Sequence, residues 1–265
     1  MKKAFVLISA LMLASSVEAA PQRASATPSQ SRASQAESTR SLLKGAKLRP
    51  LFGYQIMNPK ALNSELQTRF TNGGSNVKVG NAIAFGAAAE YPVYEESIYA
   101  GLRVEHFTSS GDAVTISQQN KGSAQATVSG TPVMATLGYA LPVAPQWTFG
   151  TTVGAGVALG YTAALEIAGS SDTTTLPNGT LEFGSTPFTG MAAASMTYDF
   201  TSSIGLRFET GYRLLSSKQM KAQSSYAPNT PNAVKEGELL RDANNVNVPV
   251  NSNAFTTGVS LTITL

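Results

Sequence analysis

Charged residues recur at alternating positions in this chain, with the spacing of ion pairs on one face of a β-strand. Arg103 and Glu105 are two residues apart, and so are Arg207 and Glu209. Successive side chains of a strand point to opposite faces, so residues i and i+2 share a face. The same parity places eight charged residues on one side of the segments that carry them: Arg49, Glu90, Arg103, Glu105, Asp199, Arg207, Glu209 and Arg213. Four arginines and four carboxylates can satisfy one another in an enclosed interior, and we predict that they form a polar network there.

Glycines share that side in the stretch that begins at Trp147. They are Gly150, Gly154, Gly156 and Gly160, and their spacing does not fit a nucleotide-binding loop, nor does a βα unit follow. Small residues at these positions leave room for the opposing arginines, or they leave a cavity.

The only histidine is His106, which parity places on the opposite, outward side. His106-Phe107-Thr108 resembles the His-x-Ser element of outer-membrane lipid A deacylases, which implies a histidine base that activates a hydroxyl and is oriented by a downstream acid. Here Thr108 holds the hydroxyl position, and no acidic residue occurs between Asp112 and Glu166. We therefore predict that the chain is not an enzyme. No His, Asp or Glu cluster has metal-ligand spacing, and we predict no cofactor.

The elements that position these residues are eight segments with period-2 alternation of apolar and polar side chains. Each has the roughly 9–11 residues that a tilted strand needs to cross hydrocarbon. The predicted segments are Lys47 to Met57, Ala82 to Tyr91, Ile98 to His106, Thr131 to Leu141, Trp147 to Tyr161, Phe188 to Phe200, Ile204 to Leu214 and Phe255 to Leu265. Soluble β-sandwiches also alternate, but their strands are usually shorter and their exposed faces more charged.

Short and long connections alternate between the eight segments. This alternation predicts an all-β fold: an eight-stranded antiparallel up-and-down transmembrane β-barrel with tight turns at one end and long extracellular loops at the other. Aromatic residues flank both ends of the segments, as in membrane-interface belts. The belt predicted at the external rim consists of Phe85, Tyr161, Phe188 and Tyr212.

The end of the chain carries a signal that outer-membrane barrels share. Thr256 and Gly258 are followed by the apolar residues Leu261, Ile263 and Leu265, which share one face of the strand. This arrangement resembles the C-terminal strand that the barrel-assembly machinery of the outer membrane reads, although Leu265 replaces the usual Phe. The chain thus resembles the eight-stranded outer-membrane barrels of the OmpA, OmpX and OmpW kind, over residues 47–265. That resemblance implies the outer membrane of a Gram-negative bacterium, with its lipids and lipopolysaccharide as neighbours.

The start of the chain has the pattern of a secretory signal peptide. Lys2 and Lys3 precede an apolar run that ends in the small residues Ala19 and Ala20. We predict a signal peptide over residues 1–19, a flexible polar periplasmic lead-in over 20–46, and the barrel over 47–265. An exported chain requires the secretion machinery as a partner.

Composition agrees with a membrane barrel. Charged residues make up 13% of the chain, about half the ~25% of soluble proteins. The chain has no cysteine, which excludes disulfides and thiolate chemistry. No basic stripe with interleaved aromatics is present, so we predict no nucleic-acid partner. The long external loops are the candidate site for an extracellular ligand.

The predicted function is a structural and surface-interaction role, with a lumen plugged by the arginine and carboxylate network. An eight-stranded barrel has an interior that side chains can just fill, which favours this interpretation. A small channel or a lumenal carrier for small or apolar solutes is the alternative if the glycine face leaves open space. A lipid A-modifying enzyme is the third and least favoured.

Overall fold

The structure is a computed structural model, and it describes residues 44–57, 59–60, 62–64, 79–94, 97–111, 114–115, 122–168, 178–226, 233–241 and 245–265. Among these residues, no helix is both long and apolar enough to span a membrane. Twelve strands make up the fold: β1 (Lys47–Met57), β2 (Ala82–Tyr94), β3 (Ile98–Ser110), β4 (Val114–Thr115), β5 (Ser123–Ala144), β6 (Trp147–Ala168), β7 (Gly179–Ser185), β8 (Phe188–Asp199), β9 (Ile204–Ser217), β10 (Lys221–Ala222), β11 (Val250–Asn251) and β12 (Ala254–Thr264).

Eight of these strands close into an antiparallel barrel, in the order β1-β2-β3-β5-β6-β8-β9-β12. Closure comes from β12, which pairs with β9 on one side and with β1 on the other. Each of the eight strands contains or closely overlaps one of the segments predicted from alternation, so the predicted fold class is confirmed. Closure leaves the barrel wall without an edge strand, as a bilayer requires.

The outward faces of the barrel strands are apolar. Phe52 and Tyr54 of β1 and Val153 of β6 are exposed, whereas Arg49 and Gln55 are 2% exposed and point into the lumen. So much exposed apolar surface would be unstable in water, and an apolar band of this kind is the lipid-facing surface of a transmembrane barrel. The aromatic belt at the short-turn end includes Trp147, Tyr198 and Phe200, whose rings pack in series at centroid distances of 4.9 and 5.2 Å.

The short connections and both described chain ends lie at one end of the barrel. The connections are residues 95–97, 145–146 and 200–203, between β2 and β3, β5 and β6, and β8 and β9. The backbone N–H of Gly45 donates to the carbonyl of Leu265 at 2.8 Å, and the N–H of Leu265 donates to Ala46 at 2.9 Å. The predicted signal peptide and the predicted lead-in up to residue 43 lie outside the described residues, so those two boundaries stay predictions.

Strands β5 and β6 have 22 residues each and extend well past the membrane-crossing segments predicted for them. Their outer halves stand beyond the membrane-facing band and are joined there by β7, which pairs with β6, and by β10, which pairs with β7. The faces of β5 exchange character along its length. In its lower half the outward residues are apolar (Val133, Leu137), and in its upper half they are polar (Gln125, Thr127) while Val128 points inward and is fully buried. The exchange marks where β5 leaves lipid and enters water.

A β-bulge makes the same exchange possible in β6. The pairing of β5 with β6 shifts between Ser129 and Thr131, so Gly160 and Tyr161 together oppose Gly130. Gly160 has φ +53°, the left-handed conformation that glycine adopts without a Cβ penalty in such bulges. Beyond the bulge, inward and outward positions are reversed. The predictions that Tyr161 belongs to the external aromatic belt and that Gly160 points inward are therefore wrong: Tyr161 is fully buried in the lumen and Gly160 faces outward.

Candidate functional site

A ladder of ion pairs crosses the barrel lumen. On β3, Arg103 contacts Glu105 of the same strand. Glu105 also contacts Arg213 of β9, and Arg103 contacts Glu209 of β9. Three barrel strands separate β3 from β9 in either direction around the wall, so these pairs join opposite sides of the barrel. The ladder therefore crosses the lumen instead of following one side of its wall.

Arg207 continues this ladder toward a third strand. One of its Nη atoms lies 3.1 Å from Glu209, and the same atom donates to Thr152 Oγ1 of β6 at 2.9 Å. Glu209 thereby joins Arg103 to Arg207, and five charged side chains form one continuous chain of contacts from Arg213 to Arg207. We call these residues the lumen ladder: Arg103, Glu105, Arg207, Glu209 and Arg213.

Arg49 and Glu90 form a separate pair on the neighbouring strands β1 and β2. Both are buried, at 2% and 5% exposure, and they lie nearer the end with the short connections. Asp199 was predicted as a member of the network, but the structure places it at the mouth of the barrel, at the end of β8. Among the described residues no ion pair joins Asp199 to an arginine.

Above the ladder, toward the long connections, apolar side chains fill the barrel. Phe107, Val128, Tyr161, Leu215 and Val250 are each fully buried there. The rings of Phe107 and Tyr161 pack at 6.4 Å between centroids. We call this cluster the apolar cap. The sequence prediction included no such cap, since it extended the outward face of β6 past the bulge.

The cap is held by hydrogen bonds to the segment that returns from the last long connection. Tyr161 donates its hydroxyl to the carbonyl of Val250 at 3.2 Å and lies 2.6 Å from Ser252 Oγ. The Ser252 N–H donates to the carbonyl of Leu215 at 2.8 Å. These bonds fold the chain back across the outer opening of the barrel, so the cap and the returning segment form one unit.

The glycines of β6 leave no open passage. A Cβ on Gly150 would lie 2.8 Å from Ser195 Oγ, and one on Gly154 would lie 3.0 Å from a side-chain carbon of Met191. One on Gly156 would collide with the backbone carbonyl of Val133. These glycines allow close approach of side chains and of the neighbouring strand, so the space that they create is already filled.

Small cavities remain among the described residues of the barrel interior. One of about 30 Å³ lies beside Gln55 and Arg213, and one of about 40 Å³ lies beside Arg49, Arg207 and Thr262. Each is large enough for only a few water-sized groups. A wide vestibule of about 680 Å³ opens at the mouth, beside Lys44, Lys47 and Asp199.

His106 faces outward, as its parity predicts. Its ring packs against Phe85 at 5.3 Å between centroids, and its Nδ1 lies 3.1 Å from Thr131 Oγ1. Thr108 is also on the outward face of β3, and Phe107 between them is buried in the cap. No group of three or more His, Asp or Glu side chains within the described residues could hold a metal ion.

The residues of the predicted assembly signal lie on β12 and just beyond it. Gly258 faces Gly53 across the seam that closes the barrel, and a Cβ at Gly258 would lie 2.8 Å from the carbonyl oxygen of Phe52. Leu261 and Leu265 are exposed on the outside, with Ile263 partly exposed between them. The close approach of β1 and β12 thus explains why position 258 is a glycine. Recognition of the C-terminal strand by the barrel-assembly machinery stays a prediction.

No family model matches this chain, and no curated protein does. Two solved structures share the barrel with low sequence identity. Neisserial surface protein A (NspA) is 9% identical, with a TM-score of 0.40 and coverage of 84% of this chain and 100% of that one. The outer membrane protease OmpT from Escherichia coli is 11% identical, with a TM-score of 0.39 and coverage of 84% and 97%.

The comparison with OmpT corrects one prediction. We predicted from an incomplete histidine motif that the chain is not an enzyme, and this prediction is wrong as drawn, because one of the similar barrels is a protease. A missing motif of one enzyme family does not exclude the chemistry of another on the same architecture. The closed antiparallel sheet, the outward apolar band and the alternation of short and long connections make this chain a β-barrel of the outer-membrane type.

Proposed function

We propose that this protein resides in the outer membrane of a Gram-negative bacterium, with its lumen closed and its functional surface on the external sheet. The lumen ladder and the apolar cap are the observation that carries the proposal. They are stacked along the barrel axis, and each alone spans the interior. Passage of an ion would require parting the ion pairs and then unpacking the cap.

The charges of the ladder support closure because each carboxylate contacts two arginines. Glu105 contacts Arg103 and Arg213, while Glu209 contacts Arg103 and Arg207. Removing Glu105 would leave Arg213 buried without an ion-pair partner, and removing Glu209 would do the same to Arg207, which costs several kcal/mol in each case. An open conformation therefore cannot form by moving one side chain.

The external sheet supports a role at the cell surface. The outer halves of β5 and β6, with β7 and β10, present polar outward faces and an apolar inward face. The polar face of this sheet is suited to contact with water, and its apolar face packs against the apolar cap. Its exposed residues are the surface on which an extracellular ligand would bind, and lipids and lipopolysaccharide would surround the band below.

Single cysteines test this orientation, since the chain has none of its own. Lys235→Cys places a thiol on the exposed part of the last long connection, and Ser202→Cys places one in the exposed turn between β8 and β9. In intact cells, a membrane-impermeant maleimide too large for porins should label Lys235→Cys and spare Ser202→Cys. Both should react after lysis. Labelling of Ser202→Cys alone in intact cells would reverse the orientation and overturn the proposal.

A further inference from the structure

Hydrogen-bond donors without partners converge on the 40 Å³ cavity in the lower half of the lumen. Arg49 uses one Nη atom for Glu90, and its Nε and other Nη atom are buried without a partner in the structure. Arg207 Nε and Thr262 Oγ1 are also buried without a hydrogen-bond partner in the structure. Arg49, Arg207 and Thr262 all line this cavity. Buried donors are rarely left unsatisfied in folded proteins, because each costs about 1–3 kcal/mol, so something else must accept from them.

The charge balance favours an anion as that acceptor. The charged residues lining the cavity are Lys47, Arg49 and Arg207 on the positive side, and Glu90 and Asp199 on the negative side. Arg207 also contacts Glu209, but Glu209 is shared with Arg103, and the ladder holds three arginines against two carboxylates. One positive charge is therefore left over. Water could accept from the donors, but it would not neutralise that excess in an enclosed site, where charges interact more strongly than in bulk water.

The second cavity provides an internal comparison. It lies beside Gln55 and contains partnerless nitrogens of Arg213, but its charged residues are Arg103 and Arg213 against Glu105 and Glu209. Those charges balance, and the unsatisfied Gln55 Oε1 is an acceptor that would repel an anion. Water is the suitable occupant of the second cavity, and an anion is the suitable occupant of the first.

Access to the first cavity is from the vestibule. Lys47, Tyr99 and Asp199 line both spaces, so the two are adjacent at the mouth of the barrel. The ammonium group of Lys47 lies 4.2 Å from the centre of the Tyr99 ring, which holds it beside the entrance. The ladder and the cap obstruct the route onward, so an ion that enters from this end must leave by it.

We propose that the cavity between Arg49, Arg207 and Thr262 binds one small inorganic anion of the halide class. The guanidinium groups of Arg49 and Arg207 donate to it, and Thr262 contributes its hydroxyl. The size of the cavity favours a small anion over a large organic one. Bound there, the ion completes the charge balance of the lower lumen and holds Arg49 against Arg207 despite their like charge.

Bromide is the probe that tests this site, because its anomalous scattering distinguishes it from water. Crystals of the full refolded chain grown with sodium gluconate would be soaked in sodium bromide. We expect an anomalous peak between Arg49, Arg207 and Thr262, and none beside Gln55. A bromide soak that leaves only water-like density in the first cavity would overturn the proposal.

A thermal measurement on two conservative variants, Thr262→Val and Gln55→Met, tests the site without disturbing the fold. Arg49→Met removes two of the donors, but it also leaves Glu90 unpaired and can prevent folding. Thr262→Val removes one hydroxyl with little change of shape and retains every ion pair. The thermal midpoint of the wild type in detergent should rise with bromide relative to gluconate at equal ionic strength. Thr262→Val should lose most of this rise and Gln55→Met should keep it; an equal rise in all three proteins would mean a general salt effect and no site.

Discussion

Arg213 and Glu105 are 108 positions apart in the sequence and form a buried ion pair across the barrel lumen. Arg213 lies on β9 and Glu105 on β3, at opposite points of the barrel wall. Since backbone pairing joins only neighbouring strands, contacts of this kind are what hold opposite walls together through the interior. The ladder is thus a strut between opposite walls.

Removing the central carboxylate of this strut should strongly destabilise the barrel. Glu105→Gln leaves Arg213 buried without an ion-pair partner and leaves Arg103 with Glu209 alone, and we expect a loss of about 3–5 kcal/mol in the free energy of unfolding. Urea unfolding in detergent micelles measures it. Glu236→Gln, an exposed carboxylate in the last long connection, is the control and should change stability by less than about 0.5 kcal/mol. Equal effects of the two changes would contradict the strut.

Replacing both partners should cost less than the sum of the two single replacements. Glu105→Met leaves Arg213 unpaired and Arg213→Met leaves Glu105 with Arg103 alone, whereas the double variant removes both charges of this pair and fills the space with apolar side chains. We expect a coupling of at least about 1 kcal/mol in a double-mutant cycle. Additive losses would show that the two groups do not interact in the folded barrel.

Gly160 should be sensitive to substitution for a conformational reason alone. A Cβ at this position would meet nothing within 4 Å, but the backbone has φ +53°. Gly160→Ala should therefore cost about 1 kcal/mol through backbone strain. Gly190 is a matched control: its added Cβ would have only an ordinary contact at 3.6 Å, and its φ is not in the left-handed region. Gly190→Ala should be neutral or slightly stabilising in the same unfolding measurement; a larger loss there than at Gly160 would contradict the bulge.

Tyr161→Phe should loosen the apolar cap without opening the ladder. The hydroxyl of Tyr161 bonds to Val250 and Ser252, and its loss should cost about 1 kcal/mol and speed hydrogen exchange at the Ser252 amide. Tyr198→Phe is the control, since that hydroxyl bonds to Gln146 Oε1 at an exposed site. Unchanged exchange at Ser252 in Tyr161→Phe would mean that the returning segment is held by other contacts.

Much of this fold could be predicted from the sequence, because a strand between lipid and lumen must alternate. The starts of seven of the eight predicted segments lie within one residue of the observed strands. β5 is the exception: its prediction began at Thr131, where outward residues stop being apolar, although the strand begins at Ser123. Residues 123–130, which precede Thr131 in the chain, continue the strand with polar side chains that face water. The membrane-crossing segment was predicted from its apolar outward face and therefore ends where that face ends.

The apolar cap could not be predicted by parity alone, because a single bulge reverses it. Tyr161 and the apolar residues after it fall on the outward side if β6 is read without interruption. Only the pairing with β5 shows that Gly160 and Tyr161 share one partner. The same limit applies to the ladder, since parity places Glu105 and Arg213 in the lumen but contains no information about which arginine meets which carboxylate.

The electrical conductance of the refolded wild-type protein in a planar bilayer tests the closed lumen most directly. Insertion would be verified in parallel liposomes by protection of the barrel from protease. With the ladder and the cap both in place, the inserted protein should show no discrete openings at moderate voltage. Steady, discrete openings of the wild type would contradict the account, because they would show a continuous passage through the ladder and the cap.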